Sequence, residues 1–311
     1  MNTRIKALLA MALVCVLWGT TFVVVKRALE DSSVFVYQAL RFGLAAVVMA
    51  AAFLPRIRKM DAAAMRAGLV IGLLLFGGYV LQNNGLRLTT ATKSAFITGS
   101  AVVLVPLFQA AAGLARLNRW VWLGAAAAFA GLYFLTVPAS EALEGFRHLN
   151  TGDLLTLAAA AMFALHVITI GRATQSHPVV ALSTVQFAVA AVLSAAAIPV
   201  SGTAGWEIPL LRVTGPLVFA VLLTGIAGTA VAFSVQVWSQ RYLTPAMIGI
   251  LLTLEPVFAA ATSFVVLGER HGGRAWFGAG LILFGILLAE LKGSAPSAIE
   301  SDFPAPSREV N

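Results

Sequence analysis

Charge is what this chain of 311 residues has least of. Only 11% of it is Asp, Glu, Lys or Arg, while 59% is apolar. Soluble domains carry roughly a quarter charged residues. The 21 basic and 13 acidic side chains present here cannot clothe a water-facing surface of this size. With a mean hydropathy of +0.90, the shortage excludes a soluble fold and leaves lipid as the main solvent. Cysteine is almost absent: Cys15 is alone inside an apolar run, which excludes a disulfide framework. His148, His166, His177 and His271 have no metal-ligand spacing among themselves or with Cys15. No Gly-Lys-Ser/Thr phosphate loop is present, so the chain is not expected to hydrolyse ATP, and no metal or other cofactor is expected. The net charge of +8 does not point to nucleic acid, because the basic residues flank apolar stretches and form no block.

What is present is a succession of long apolar runs. They are Ala7–Val25, Val34–Leu54, Ala67–Leu86, Ala91–Ala115, Trp120–Val137, Leu154–Ile170, Val179–Val200, Pro216–Trp238, Leu243–Leu267 and Trp276–Leu291. Each is long enough to cross about 30 Å of hydrocarbon as a helix, which satisfies every backbone group internally. The runs do not alternate, so a β-barrel is excluded. Spans of about 20 residues leave short loops and no room for an extramembrane domain. The first run follows Arg4 and Lys6 as in a signal peptide, but no convincing small-residue cleavage site comes after it, and an uncleaved helix is expected. With the N-terminus inside, Lys and Arg divide 12 to 8 in favour of the inner segments, led by Pro55–Arg66. Both termini are therefore expected in the cytoplasm, the chain being multi-pass in the inner (plasma) membrane. Residues 293–311 are polar and Pro-rich and read as a disordered tail.

The chain also reads twice. Ala39-Leu-Arg-Phe-Gly-Leu-Ala-Ala-Val-Val aligns with Thr184-Val-Gln-Phe-Ala-Val-Ala-Ala-Val-Leu, 145 residues on. Pro106-Leu-Phe matches Pro256-Val-Phe and Gly78 matches Gly228, both at 150. Gly124 and Gly131 match Gly278 and Gly285 at 154. Five spans per copy is an odd number, so the second copy must be inverted in the membrane. That architecture belongs to transporters, with the substrate between the halves. The fold expected is all-α and integral to the membrane, with ten transmembrane helices as two inverted five-helix repeats around a central cavity. The repeats cover residues 5–138 and 152–292.

Four features, in order, resemble the drug/metabolite transporter superfamily, and within it the EamA-type ten-helix permeases. They are Trp18-Gly in the first helix, Arg41 in the second, the Pro106-Leu-Phe echo, and the stretch from Tyr242 through Leu254-Glu-Pro-Val-Phe to Leu267-Gly-Glu. The resemblance covers roughly residues 5–292. It implies alternating-access transport, often export, of small metabolites across the inner membrane. One departure stands out: Leu117-Asn-Arg119 replaces the acidic turn that the second half keeps as Leu267-Gly-Glu269.

Few polar groups lie at membrane depth. Glu255 sits near the middle of the ninth span and must face a cavity, find a partner or stay protonated. Pro256 cannot donate to the carbonyl of Leu252, so kinks are expected at Pro106 and Pro256. Arg41 cannot deprotonate; it either holds a substrate carboxylate, pairs with Glu255, snorkels, or makes a structural hydrogen bond. The repeat supplies Gln186 at its place. Tyr79, Gln82 and Asn83 share one helix face and suit the lining of a cavity. Lys93 reads as an interfacial snorkel. His166, which aligns with Thr21, reads as an interface hydrogen-bonder or a proton relay. Trp18, Phe22, Phe163 and Trp238 are candidates for an aromatic-lined pocket. Small-residue pairs such as Gly68/Gly72 permit close packing but arise by chance in so Ala-rich a chain.

The function expected is secondary transport, outward, of a small organic metabolite such as an amino acid or drug-like compound. Glu255 is the deeply placed acid that coupling to protons would use. The alternative is an intramembrane enzyme acting on a lipid or isoprenoid carrier, against which stands the lack of clustered acids, His or Arg near one face. The partners expected are the bilayer and a small-molecule substrate; one chain supplies both halves, and oligomeric state stays open.

Overall fold

A polar residue precedes most of the apolar runs, and in the computed structural model these residues are the helix caps. The structure describes residues 2–89, 91–137, 150–267 and 272–293. Asn2 opens α1 (Thr3–Ala28), Asp61 opens α3 (Ala62–Leu88) and Asn118 opens α6 (Arg119–Thr136). Asn150 and Asp153 form a reciprocal capping box at the start of α7 (Thr151–Ala173). Each takes an amide that the first helical turn leaves unpaired. α2 (Val34–Ile57) and α8 (Val179–Thr203) begin without such a cap of their own. The last helix is α13 (Gly273–Gly293).

Among the described residues the fold is helical throughout, apart from an isolated antiparallel bridge between Ser32 and Leu211. Eight stretches are long and apolar enough to cross a membrane: Thr3–Thr21, Val34–Ile57, Ala62–Gly85, Thr151–Ala173, Val179–Thr203, Gly215–Ser239, Pro245–Thr262 and Gly273–Gly293. The chain is therefore a multi-pass membrane protein. Between α3 and α7 lie two further apolar pieces, the shorter Phe96–Ala111 and the 18-residue α6. The tail after Gly293, the acidic turn at Glu269, and the side chains of Phe22 and Lys93 lie outside the described residues.

Three passages are interrupted among the described residues, besides the kink at Phe53, two residues before Pro55, near the end of α2. α4 (Ala91–Gly99) and α5 (Ala101–Ala111) meet at Ser100, while α11 (Pro245–Leu251) and α12 (Leu254–Leu267) meet at Leu252–Thr253. The two breaks share a device. Ser100 donates its amide and its hydroxyl to the Ile97 carbonyl, and Thr253 donates both to the Ile250 carbonyl, 3.1 Å and 2.6 Å away. Each tightens the chain into a single i→i+3 turn. The break at Leu252–Thr253 falls within one turn before Pro256, whereas the break at Ser100 falls six residues before Pro106. Pro106 lies inside α5, past the break, and Pro256 lies in the first turn of α12, where no backbone donor is required. The Leu252 carbonyl is not left free, because the Glu255 amide donates to it at 3.1 Å. The third passage runs from α9 (Gly215–Leu222) through a π-helical segment, Leu223–Val231, into α10 (Ala232–Ser239).

Small residues set the closest packing. α6 and α13 cross antiparallel with backbones in contact: a Cβ on Gly124 would fall 2.6 Å from the Gly285 carbonyl, and one on Gly131 the same distance from that of Gly278. Gly68 and Gly72, dismissed by composition, seat Val185 and Val189 of α8 against α3. α2 and α8 also cross, with Ser194 donating to Gln38 at 3.4 Å. The largest apolar cluster gathers α1, α5, α6, α7, α11 and α13 around residues such as Met11, Val105, Leu132, Ile248 and Ile282. A second cluster, centred on Phe42, Leu75, Phe187 and Phe233, joins α2, α3, α8 and α10. Trp18 touches both.

Candidate functional site

Tyr37 and Arg41 are four residues apart on α2, hence on one face of an α-helix. Both reach the π-helical segment. The Tyr37 hydroxyl meets Thr224 Oγ1 at 2.7 Å, and Arg41 Nε donates to Thr229 Oγ1 at 2.7 Å. Thr224 passes its own proton to the Ala220 carbonyl, so it accepts from Tyr37. Thr224 and Thr229 are five residues apart, a spacing that points to different faces of an α-helix. A π-turn closes on i+5 and brings them to the same side. The irregular segment is thus the geometry that lets both bonds form.

Arg41 is only 8% exposed, so it does not snorkel to water. Its guanidinium lies 5.6 Å from the Phe42 ring centre and 5.5 Å from that of Tyr79, within cation–π range. Tyr79 stands edge-on to Phe42 and to Phe163, each 5.5 Å away. A second aromatic group adjoins it. Trp18 packs on Phe233 at 4.8 Å and donates its indole N–H to the Gly228 carbonyl at 2.8 Å. Phe233 in turn stands edge-on to Phe187 and His166. Trp238 is turned elsewhere, against Tyr242 at 5.3 Å.

Glu255 enters from α12. Its backbone lies against Gly19 of α1, where a Cβ would fall 2.6 Å from the Glu255 carbonyl, and its side chain is part-exposed. Among the described residues Glu255 and Arg41 form no ion pair with each other. Of the alternatives open to Arg41, the structure has the hydrogen bond. His166 of α7 is buried and its Nε2 meets Oε1 of the buried Gln186 of α8 at 3.0 Å, while Gln186 Nε2 finds no partner among the described residues. Gln82 donates to Thr98 of α4 at 3.3 Å, while Asn83 and Tyr79 are part-exposed on the same face of α3.

The structure thus gathers Arg41, Tyr79 and Trp18, sets Glu255 beside Trp18's neighbour Gly19, and leaves Trp238 apart. Tyr37, Thr224, Thr229 and Phe233 are part of this arrangement and none is singled out by the sequence, which marks Gly228 only as the repeat match of Gly78. The five-residue spacing of Thr224 and Thr229 is the signal that points to them, and it is meaningful only once a π-turn is known.

Comparisons with known proteins give the family and the fold. A model of the EamA-like transporter family matches residues 5–137 and 150–291. An uncharacterized transporter of Archaeoglobus fulgidus is 33% identical over 290 residues, 93% of this chain and 87% of that protein. The uncharacterized transporter YetK of Bacillus subtilis is 23% identical over 306 residues, 96% of this chain and 89% of its own. A solved crystal structure shares the fold, with a TM-score of 0.76 at 21% identity over 93% of this chain and 97% of that one. On the family match to both halves and the archaeal relative together, the chain belongs to the EamA-like transporter family.

Proposed function

We propose that this transporter is a secondary exporter, moving a small organic metabolite such as an amino acid or drug-like compound out across the inner membrane by alternating access. The observation that carries this reading is Arg41. A permanent cation held in the bilayer-spanning bundle by one hydroxyl and two aromatic faces, with no ion-pair partner, is costly unless it serves a ligand. In this reading Arg41 receives the anionic group of the substrate. Tyr79, Gln82 and Asn83 line the path, Trp18 packs against it, and Glu255 carries the coupling proton. His166 and Trp238 belong to its surroundings.

The architecture behind the proposal is ten passages in two inverted five-helix repeats, one over residues 5–138 and one over 152–292, with α4–α5 and α11–α12 each counted as one passage. Support comes from the partners across the halves. α6 and α13 occupy matching places and run antiparallel, and Gly124–Gly285 and Gly131–Gly278 are the reciprocal contacts that a two-fold relation generates. Both termini face the cytoplasm in this proposal, as the Lys and Arg distribution favours.

The test is metabolite profiling, inside and outside, of cells expressing the chain or its Glu255→Gln variant. A compound that accumulates outside only with the unaltered protein supports export and names the substrate class. Equal flux through a correctly inserted Glu255→Gln variant would remove the carboxylate from the mechanism. Arg41→Gln is expected to weaken handling of carboxylate-bearing substrates selectively; equal loss for neutral ones would make Arg41 structural.

A further inference from the structure

Residues 204–214 connect α8 to α9, so they lie where two membrane spans meet the membrane surface. The connection starts with Gly205 at φ +70, a conformation that favours glycine, and Pro209 turns back against Gly202. Its inner edge then runs beside the α1–α2 turn, more than 170 residues earlier in the chain. Glu207 accepts from the amides of Val34 at 2.8 Å and Phe35 at 3.2 Å. It supplies the cap that Ser33 does not provide for α2, with negative charge at the positive end of the helix. Ser33 donates its amide to the Leu210 carbonyl at 2.9 Å, and Arg212 donates its amide to the Asp31 carbonyl at 2.8 Å. Thr214 donates to the Asp31 carboxylate at 2.6 Å, and Ser32 bridges Leu211.

The outer edge has the opposite chemistry. Trp206 is 63% exposed, Ile208 87%, Leu211 52% and Val213 78%. Side chains this apolar and this exposed are not what a water-facing loop carries. The corresponding connection of the first half, between α2 and α3, reads Arg58-Lys59-Met60-Asp61. The apolar exposure of residues 204–214 therefore has no counterpart in the matching connection of the first half.

We propose that residues 204–214 form an interfacial latch. The inner edge fastens the α1–α2 turn of the first half to the second half. The outer edge seats Trp206, Ile208, Leu211 and Val213 in the headgroup–acyl boundary of the bilayer, the zone that Trp and amphipathic segments favour. Parting the halves at this face requires breaking the Glu207 bonds or pulling those side chains through the interface. The bilayer itself then becomes part of the closed gate.

The seat is tested on the full chain in phosphatidylcholine vesicles, with a fluorophore at Ile208→Cys; the buried Cys15 does not compete for it. Nitroxide lipids labelled high on the acyl chain are expected to quench it more than lipids labelled near the chain end, and aqueous iodide least. A label at Met60→Cys is expected to show the reverse, with iodide dominant. Iodide-dominated quenching at Ile208→Cys would overturn the seat. The latch is tested by maleimide labelling of Ser33→Cys, which lies buried beneath it. Glu207→Ala is expected to raise the labelling rate about tenfold, since it removes two charge-assisted bonds, with Glu207→Gln intermediate. An unchanged rate in a Glu207→Gln protein that elutes as a single species would overturn the latch. Neither readout uses transport, so the latch and the export reading fail separately.

Discussion

Trp18 meets Gly228, and Phe163 meets Gly78, at matching intervals along the two halves, yet the contacts are built differently. The Phe163 ring presses on Gly78 so closely that a Cβ there would fall 2.6 Å from it. Gly78 lies in α3, which stays a regular helix. Around Gly228 a Cβ would meet nothing nearer than its own helix's Thr224, at 3.7 Å. Trp18 reaches past that space to the Gly228 carbonyl instead, and here the helix is π. One half uses an aromatic as a spacer; the other uses it as a hydrogen-bond donor that holds a widened turn. The difference teaches that matching sequence need not give two equal contacts. A π-turn presents backbone and hydroxyl groups to its neighbours, and here Trp18, Tyr37 and Arg41 take them.

The largest effect that would break this comparison lies at the glycines. Gly78→Ala is expected to cost about 1–3 kcal/mol through overpacking against Phe163. Gly228→Ala is expected to leave stability unchanged or raise it slightly, since alanine favours helix. Thermal unfolding of the two purified variants decides the matter, and equal losses would erase the asymmetry. Trp18→Phe gives the first half the aromatic of the second and leaves a carbonyl without its donor, at a cost of about 1–2 kcal/mol. Hydrogen exchange around Gly228 should change in that variant, with α3 unaffected. Tyr37→Phe and Thr224→Val remove the same bond, each costing about 1 kcal/mol. The double variant should therefore be no worse than the more damaging single one, and additive losses would mean that the bond does not tie α2 to the π segment. The smallest effect belongs to the breaks that both halves share. Ser100→Ala and Thr253→Val are each expected to cost about 0.5–1 kcal/mol, and a large loss in one alone would extend the asymmetry to the fourth passage.

Much of the fold was legible because membrane spans are written locally. The run at Val179 begins where α8 begins, and the polar residue before a run, such as Asp61, Asn118 or Asn150, is the cap that starts the helix. Family membership was legible too, in the order of Trp18-Gly, Arg41 and Glu255-Pro. One proline was a misleading sign. Pro106 reads as the kink, but the chain turns at Ser100, where a hydroxyl and an amide share one carbonyl. The π segment was not legible because periodicity arguments assume 3.6 residues per turn, and Thr224 and Thr229 fall on different faces at that period. Gly68 and Gly72 looked like chance until α8 was seen to lie on them. Trp238 was grouped with Trp18 by the sequence, and only the fold selects Phe233 as the partner of Trp18.

The sequence by itself determined the solvent, eight of its ten expected spans and the family, since each depends on apolar runs and short motifs whose meaning is carried by neighbouring residues. It also marked Arg41 and Glu255 as charges at membrane depth that require an explanation. Which group answers Arg41 was decided by the tertiary structure, because Thr229 lies 188 residues away and reaches it only from a widened turn. The partners of Glu207 at the start of α2 were decided in the same way, by two connections that meet in space and not in sequence. A hydrogen bond depends on placement within a few tenths of an ångström, and that placement is a property of the packed bundle rather than of any one segment.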